Sequence, residues 1–185
     1  MGVTEKFLFH CGPTLSGVKP SNLFSLSMDE YKRNNEEIHT IYKKIRNKGL
    51  EIVDIYRSKN RLLIYVFNIK MLISFINIDV KDYLHKLDYP KSDDIRKYLY
   101  HILWKIKYDK ECFPDEIGFF LGIPYSDVVN FIVKKGQSSL LDGYWKVYQN
   151  PEETQSLFKL YDDCRRSNLD NYKRGTPFHD LIVNV

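Results

Sequence analysis

Two runs of strand-forming residues, joined by three polar ones, constrain the fold of this chain more than any other feature. Leu50 to Arg57 carries Ile52, Val53, Ile55 and Tyr56, and Arg61 to Asn68 carries Ile64, Tyr65, Val66 and Phe67. Ser58-Lys59-Asn60 lies between them. A short polar connection between two such runs predicts a β-hairpin. Most of the remaining chain reads as helix. Asp29 can cap a helix in which Tyr31, Ile38, Ile41, Tyr42 and Ile45 fall on one face, ended by Gly49. Met71 to Ile76 and Val80 to Leu87 read as short helices. Ile95, Leu99, Ile102, Leu103 and Ile106 give helical spacing from Asp93 to Lys107. Pro114 to Leu121, Ser126 to Lys135 and Pro151 to about Tyr172 read likewise. Tyr144 to Tyr148 and Phe178 to Val185 read as short strands. The expected fold class is α+β: a small, mostly antiparallel sheet with five or six helices.

Composition fits one domain over residues 1–185. The chain of 185 residues is long enough to bury a core without disulfides or metal. With 43% hydrophobic and 28% charged residues it is neither disordered nor fibrous. Its apolar runs are far short of the ~20 residues of a membrane span. Residues Met1 to Phe9 include Glu5 and Lys6 and lack the apolar core of a signal peptide, so a cytoplasmic location is expected. A formal net charge of +4 permits an acidic partner. Neither nucleic acid nor membrane is expected as a partner, and no cofactor or resident metal.

Three cysteines remain, at 11, 112 and 164. They cannot all pair within one chain, and reduced thiols are expected. Cys164 shares a helical face with Leu157, Leu160 and Tyr161, which suits a small core residue. Cys112, beside Glu111 in a loop, has no feature that would favour a thiolate. Cys11 precedes Gly12-Pro13 after the apolar Phe7, Leu8 and Phe9. Pro13 suits the first turn of a helix from Pro13 to Gly17. A helix start beside Cys11 would stabilise a thiolate, Gly12 would leave room for a substrate carbonyl, and the Cys11 amide could donate to an oxyanion. The plain alternative is a small residue packed at a turn.

The Cys11-Gly12-Pro13-Thr14 segment resembles the nucleophile segment of double-glycine leader peptidases, which are papain-like. The oxyanion Gln that the resemblance implies is replaced here by Glu5, which cannot donate when ionised. A longer resemblance runs through His10-Cys11-Gly12-Pro13-Thr14-Leu15-Ser16-Gly17-Val18-Lys19 and Asn22-Leu23-Phe24. It continues in Lys48-Gly49-Leu50, Leu63-Ile64-Tyr65-Val66, the Phe113–Gly122 segment, Asp127-Val128, the Gly143–Tyr148 segment and Cys164. On these the chain resembles an uncharacterised clostridial family, which usually has His where this chain has Asp115. It also resembles the amide-forming cysteine-protease homologues of clostridial peptide-antibiotic pathways, such as that of closthioamide.

A Cys nucleophile needs a base. His10 adjoins Cys11 and would point elsewhere; His39 and His85 sit among charges. The resemblance to papain-like enzymes, whose His lies on a strand, puts His179 first and His101 second. Asp115, Asp127 or Asn184 would orient the ring. The function expected is a thiol-dependent acyl transferase. Cys11 takes an acyl group from a carrier-protein thioester, and an amine substrate then captures it as an amide. One rival is a non-enzymatic metal- or cofactor-binding protein using His10, Cys11 and Cys164. Another is a regulatory binding module in which Cys11 only packs.

Overall fold

A computed structural model of the chain describes residues 1–109 and 113–185, apart from the side chains of Tyr56 and Arg57. The chain divides into two compact units, one of Met1–Met71 with Tyr161–Val185 and one of Leu72–Leu160. The class is α+β, with small antiparallel sheets and nine α-helices among the described residues.

The first unit is built on the predicted hairpin. Strands β2 (Glu51–Ser58) and β3 (Arg61–Phe67) pair antiparallel, with Ile52 opposite Val66 and Ile55 opposite Leu63. A third strand, β1 (Ser21–Ser27), covers the other edge of β3 and gives the order β1-β3-β2. This strand was not expected, because Ser21-Asn22-Leu23-Phe24-Ser25-Leu26-Ser27 has weak strand propensity. It forms because β3 is buried from Leu62 to Phe67, and its free edge needs hydrogen-bond partners. As the central strand, β3 is apolar on both faces, as a strand covered on both sides must be.

Helix α1 (Val3–Leu15) packs on this sheet and corrects one expectation. The helix begins well before Cys11, not beside it, and Pro13 lies in the last turn instead of the first. Val3, Phe7, Leu8, Cys11 and Leu15 form one buried stripe, and that stripe decides the matter. At its start the Glu5 carboxylate accepts the Gly2 amide at 2.8 Å. At its end Gly17 has φ +73°. The Gly17 amide donates to the Thr14 carbonyl at 3.0 Å and the Val18 amide to the Pro13 carbonyl at 2.9 Å, a Schellman ending.

The stretch read as one helix from Asp29 is two, α2 (Met28–Arg33) and α3 (Asn35–Asn47). The first is capped by Ser27, whose hydroxyl accepts from the Glu30 amide. On α3, Ile38, Ile41, Tyr42 and Ile45 are buried as expected. The expected terminal strand is absent. Phe178–Leu181 is a 3-10 turn that begins after Pro177 and buries Phe178, and Ile182 is buried just beyond it. The following residues are held singly: Val183 donates to the Leu15 carbonyl and Val185 to the Lys48 carbonyl.

Helix α4 (Ile69–Phe75) follows β3. The second unit holds α5 (Ile78–His85), α6 (Ile95–Tyr108), α7 (Ile117–Phe120) and α8 (Tyr125–Val133). A two-residue ladder of β4 (Leu141–Asp142) with β5 (Lys146–Val147) replaces the longer strand expected at Tyr144 to Tyr148. Gly143 sits in its turn, where a Cβ would lie 2.2 Å from the Phe158 ring. The long α9 (Pro151–Lys173) supplies residues to both units.

Candidate functional site

Each residue singled out in the sequence now has a place. Cys11 is fully buried in the body of α1, with four residues of helix after it. It therefore lies nearer the carbonyl end of the helix than the amide end, and the dipole gives no help to a thiolate there. Burial pushes its thiol far above the ordinary range, against the smaller opposing pull of Lys19 and Arg165. Gly12 does not open room for a substrate. A Cβ there would lie 3.2 Å from the Arg165 Cα, so Gly12 is what lets α9 cross α1 closely.

Around Cys11 the polar groups are structural in arrangement. The Thr14 hydroxyl donates to Asn22 Oδ1 at 2.7 Å and ties α1 to β1. Asn168 of α9 donates to Ser16 Oγ at 3.1 Å. The Arg165 guanidinium lies 5.1 Å from the centre of the Phe9 ring. His10 stacks on Phe24 with ring centres 5.0 Å apart. Burial lowers its pKa, as do Arg165 and Lys6. Lys19 was missed as a candidate. It is buried, donates to the Ser21 carbonyl at 2.7 Å, and burial lowers its pKa to about 7. Its signal in the sequence was weak, because one lysine beside Pro20 looks like surface.

Neither histidine expected as a base lies on a strand. His179 is exposed in the 3-10 turn, with Nε2 3.1 Å from Asp180 Oδ1. His101 belongs to α6 in the second unit, where its ring lies 4.2 Å from that of Tyr89. The charged groups that act on Cys11 include Lys19 and Arg165. Asp115 and Asp127 also lie in the second unit. Glu5, at the expected oxyanion position, caps its own helix. Among the described residues no group of three or more His, Cys, Asp or Glu side chains is placed to hold a metal, so His10, Cys11 and Cys164 do not form one. Cys164 is partly buried, and its thiol is pushed up by burial. Cys112 lies outside the described residues.

A concave site lies in the second unit. A cavity of about 460 Å³ is walled by Ile117 and Gly118 of α7, Val128 and Phe131 of α8, and Trp145 beside β5. Its size is that of a small-molecule site. Gly118 lets the walls meet, since a Cβ there would lie 2.8 Å from Val128 Cγ2. Asp127 holds them. Its buried carboxylate accepts the Trp145 indole N–H at 2.8 Å, the Tyr148 amide at 2.8 Å and the Gln149 amide at 3.3 Å. The exposed Asp142 and Asp115 also line the cavity. Asp142 pairs with Lys146 at 3.2 Å. Among the described residues no side chain pairs with the Asp115 carboxylate, and burial with the neighbouring Glu116 raises its pKa.

A family model matches residues 7–182 and is described as a protein of unknown function (DUF3793). The chain belongs to this family. No curated protein and no solved structure matches it. In this family member the matched span covers both the buried Cys11 region and the whole lining of the cavity. The Phe113–Gly122 and Gly143–Tyr148 segments supply most of that lining. Sequence reasoning read them as a helix start and core aromatics, and the cavity between them was missed. No helix among the described residues is long and apolar enough to cross a membrane.

Proposed function

We propose that this chain is a binding protein for a small ligand with an apolar body and a cationic group. The observation that carries this reading is the 460 Å³ cavity, apolar over most of its wall, with one open carboxylate, Asp115, on its lining. The Asp127 carboxylate is already saturated by three donors and Asp142 already has Lys146, so Asp115 is the acid left for a ligand. A matched pair of probes tests it: 4-phenylbutylamine and 4-phenylbutanol, titrated by calorimetry. Both should bind, the amine more tightly. Leu121→Trp, which puts an indole into the cavity space, should abolish binding of both while the fold persists by circular dichroism. Asp115→Asn should weaken the amine about fivefold, the scale of a partly exposed ion pair, and spare the alcohol. Full binding by the Leu121→Trp protein would remove the cavity from consideration.

A second reading keeps the thiol chemistry of a papain-like acyl transferase. What supports it is Lys19, a buried amine whose pKa burial lowers to about 7 and whose charged form opposes the rise of the Cys11 thiol. Here Lys19, not His179 or His101, takes the thiol proton. The Cys11 sulfur then attacks the carbonyl of an acyl carrier thioester and expels the carrier thiol. An amine next displaces the sulfur, leaving an amide and the restored thiol. The covering of Cys11 must open for this to occur, which is why the reading stands second. Incubation with an acyl N-acetylcysteamine thioester, followed by peptide mass spectrometry, tests it. Acylated Cys11 that disappears in Lys19→Met supports it. Amide formation undiminished in Cys11→Ala would refute it.

A further inference from the structure

Helix α6 contains no acidic residue between Ile95 and Tyr108. Its inner side is the core face, with Ile95, Tyr98, Leu99, Ile102 and Ile106 buried. Its outer side is unusual for an exposed face. Tyr100, Trp104 and Tyr108 repeat every fourth residue and are 72%, 49% and 55% exposed. Residues four apart on a helix lie over one another, so the three rings form a ridge. Arg96, Lys97 and Lys107 are exposed on the same side, and among the described residues none of them makes an ion pair. The helix's other lysine, Lys105, faces inward and is spent on Glu116. Asp94 caps the helix start by accepting the Arg96 amide, and Asp109 ends it. The carboxylates next to the ridge in sequence therefore stand only at its two ends.

We propose that this face of α6 docks on an anionic lipid surface. Tyr and Trp are the side chains that settle at a bilayer interface, because a ring can sit among acyl chains while its polar atom stays wet. Cations flanking them are drawn to acidic headgroups. The arrangement of the rings favours lipid over single-stranded nucleic acid. Bases need free ring faces to stack on. Here Trp104 and Tyr108 pack against one another, with ring centres 5.6 Å apart, and the Lys107 ammonium covers Tyr108 at 5.0 Å. The proposal differs from the sequence expectation of no membrane partner, because the exposure of the ridge follows only once the inner face of α6 is known.

The two tryptophans supply the readout. Trp104 is half exposed, whereas Trp145 is 8% exposed and bonded to Asp127. The full chain is titrated with phosphatidylcholine–phosphatidylserine vesicles, with vesicles of phosphatidylcholine alone, and with an oligo(dT) strand, reading indole emission. The expected result is a blue shift with the anionic vesicles that added salt reverses and that Trp104→Phe removes. Lys97→Gln with Lys107→Gln should weaken vesicle binding about fivefold per lysine at low salt. Both lysines are exposed, so the variant keeps its fold, checked by circular dichroism. Three results would overturn the proposal: no shift with anionic vesicles, an equal shift in Trp104→Phe, or a response to oligo(dT) without one to vesicles.

Discussion

Lys19 is the residue whose chemistry the fold changes most. Its ammonium would sit under α1 and β1 with one carbonyl to bond. Removing a charge from water costs more than one such bond returns, so burial lowers the pKa of the amine to about 7 in the folded chain. The unfolded chain keeps the proton up to the ordinary value near 10.5. Between these values the unfolded state binds a proton that the folded state does not, so this group makes stability rise with pH. The penalty is complete below about pH 7 and vanishes above 10.5. Lys19→Met should therefore be more stable than wild type at pH 7, and its advantage should shrink as pH rises toward 9. Urea midpoints across that range decide it; parallel curves for the two proteins would show that Lys19 is not the source. Cys11 illustrates what a local motif can hide. Pro13 by itself favours a first turn, where its missing N–H costs nothing, and four residues cannot show that packing overrides that preference. The answer lay in Val3, Phe7 and Leu8, whose burial makes the whole segment helical.

At the scale of elements, the hairpin of β2 and β3 and the apolar faces of α3 and α6 were legible because each carries its own pattern. Strand β1 was not legible, because its reason for existing is the unpaired edge of β3 rather than anything in its own side chains. The terminal 3-10 turn was hidden for a similar reason: Ile182 and Val183 have strand propensity, but Pro177 and a single bond from Val183 to Leu15 decide the path. The cavity was illegible because its wall comes from separate segments that come together around Gly118, Gly143 and Asp127. Asp127 joins α8 to the residues around β5, so it can be tested as a single post. Asp127→Asn keeps the shape but offers one acceptor oxygen in place of two. At least one of the three buried N–H groups then faces an amide NH₂. The cost should be about 2–3 kcal/mol, the scale of an unsatisfied buried donor, read from the urea midpoint by Trp145 emission. The affinity for 4-phenylbutanol should fall with it, because the indole is part of the wall. An unchanged midpoint would mean that packing alone holds Trp145 in place.

For the whole molecule, the useful division is between the unit that holds the thiol and the unit that holds the cavity. The motif at Cys11 drew attention to the first, and the second holds the 460 Å³ cavity. A net charge of +4 looked like a diffuse hint about partners. Three of the chain's cations stand together on one side of α6, and the surface is a more specific guide than the sum.

The first unit is completed only by residues 161–185. During synthesis the groove over Gly12, the Leu15 carbonyl and the Lys48 carbonyl all wait for a partner more than a hundred residues downstream. Leu72–Leu160 is contiguous, so its neighbours arrive in order. The nascent chain can thus settle the cavity unit first, while α1 still lacks the helix that packs against Gly12. Arg165 at Gly12 and Asn168 at Ser16 are therefore among the last partners that α1 acquires.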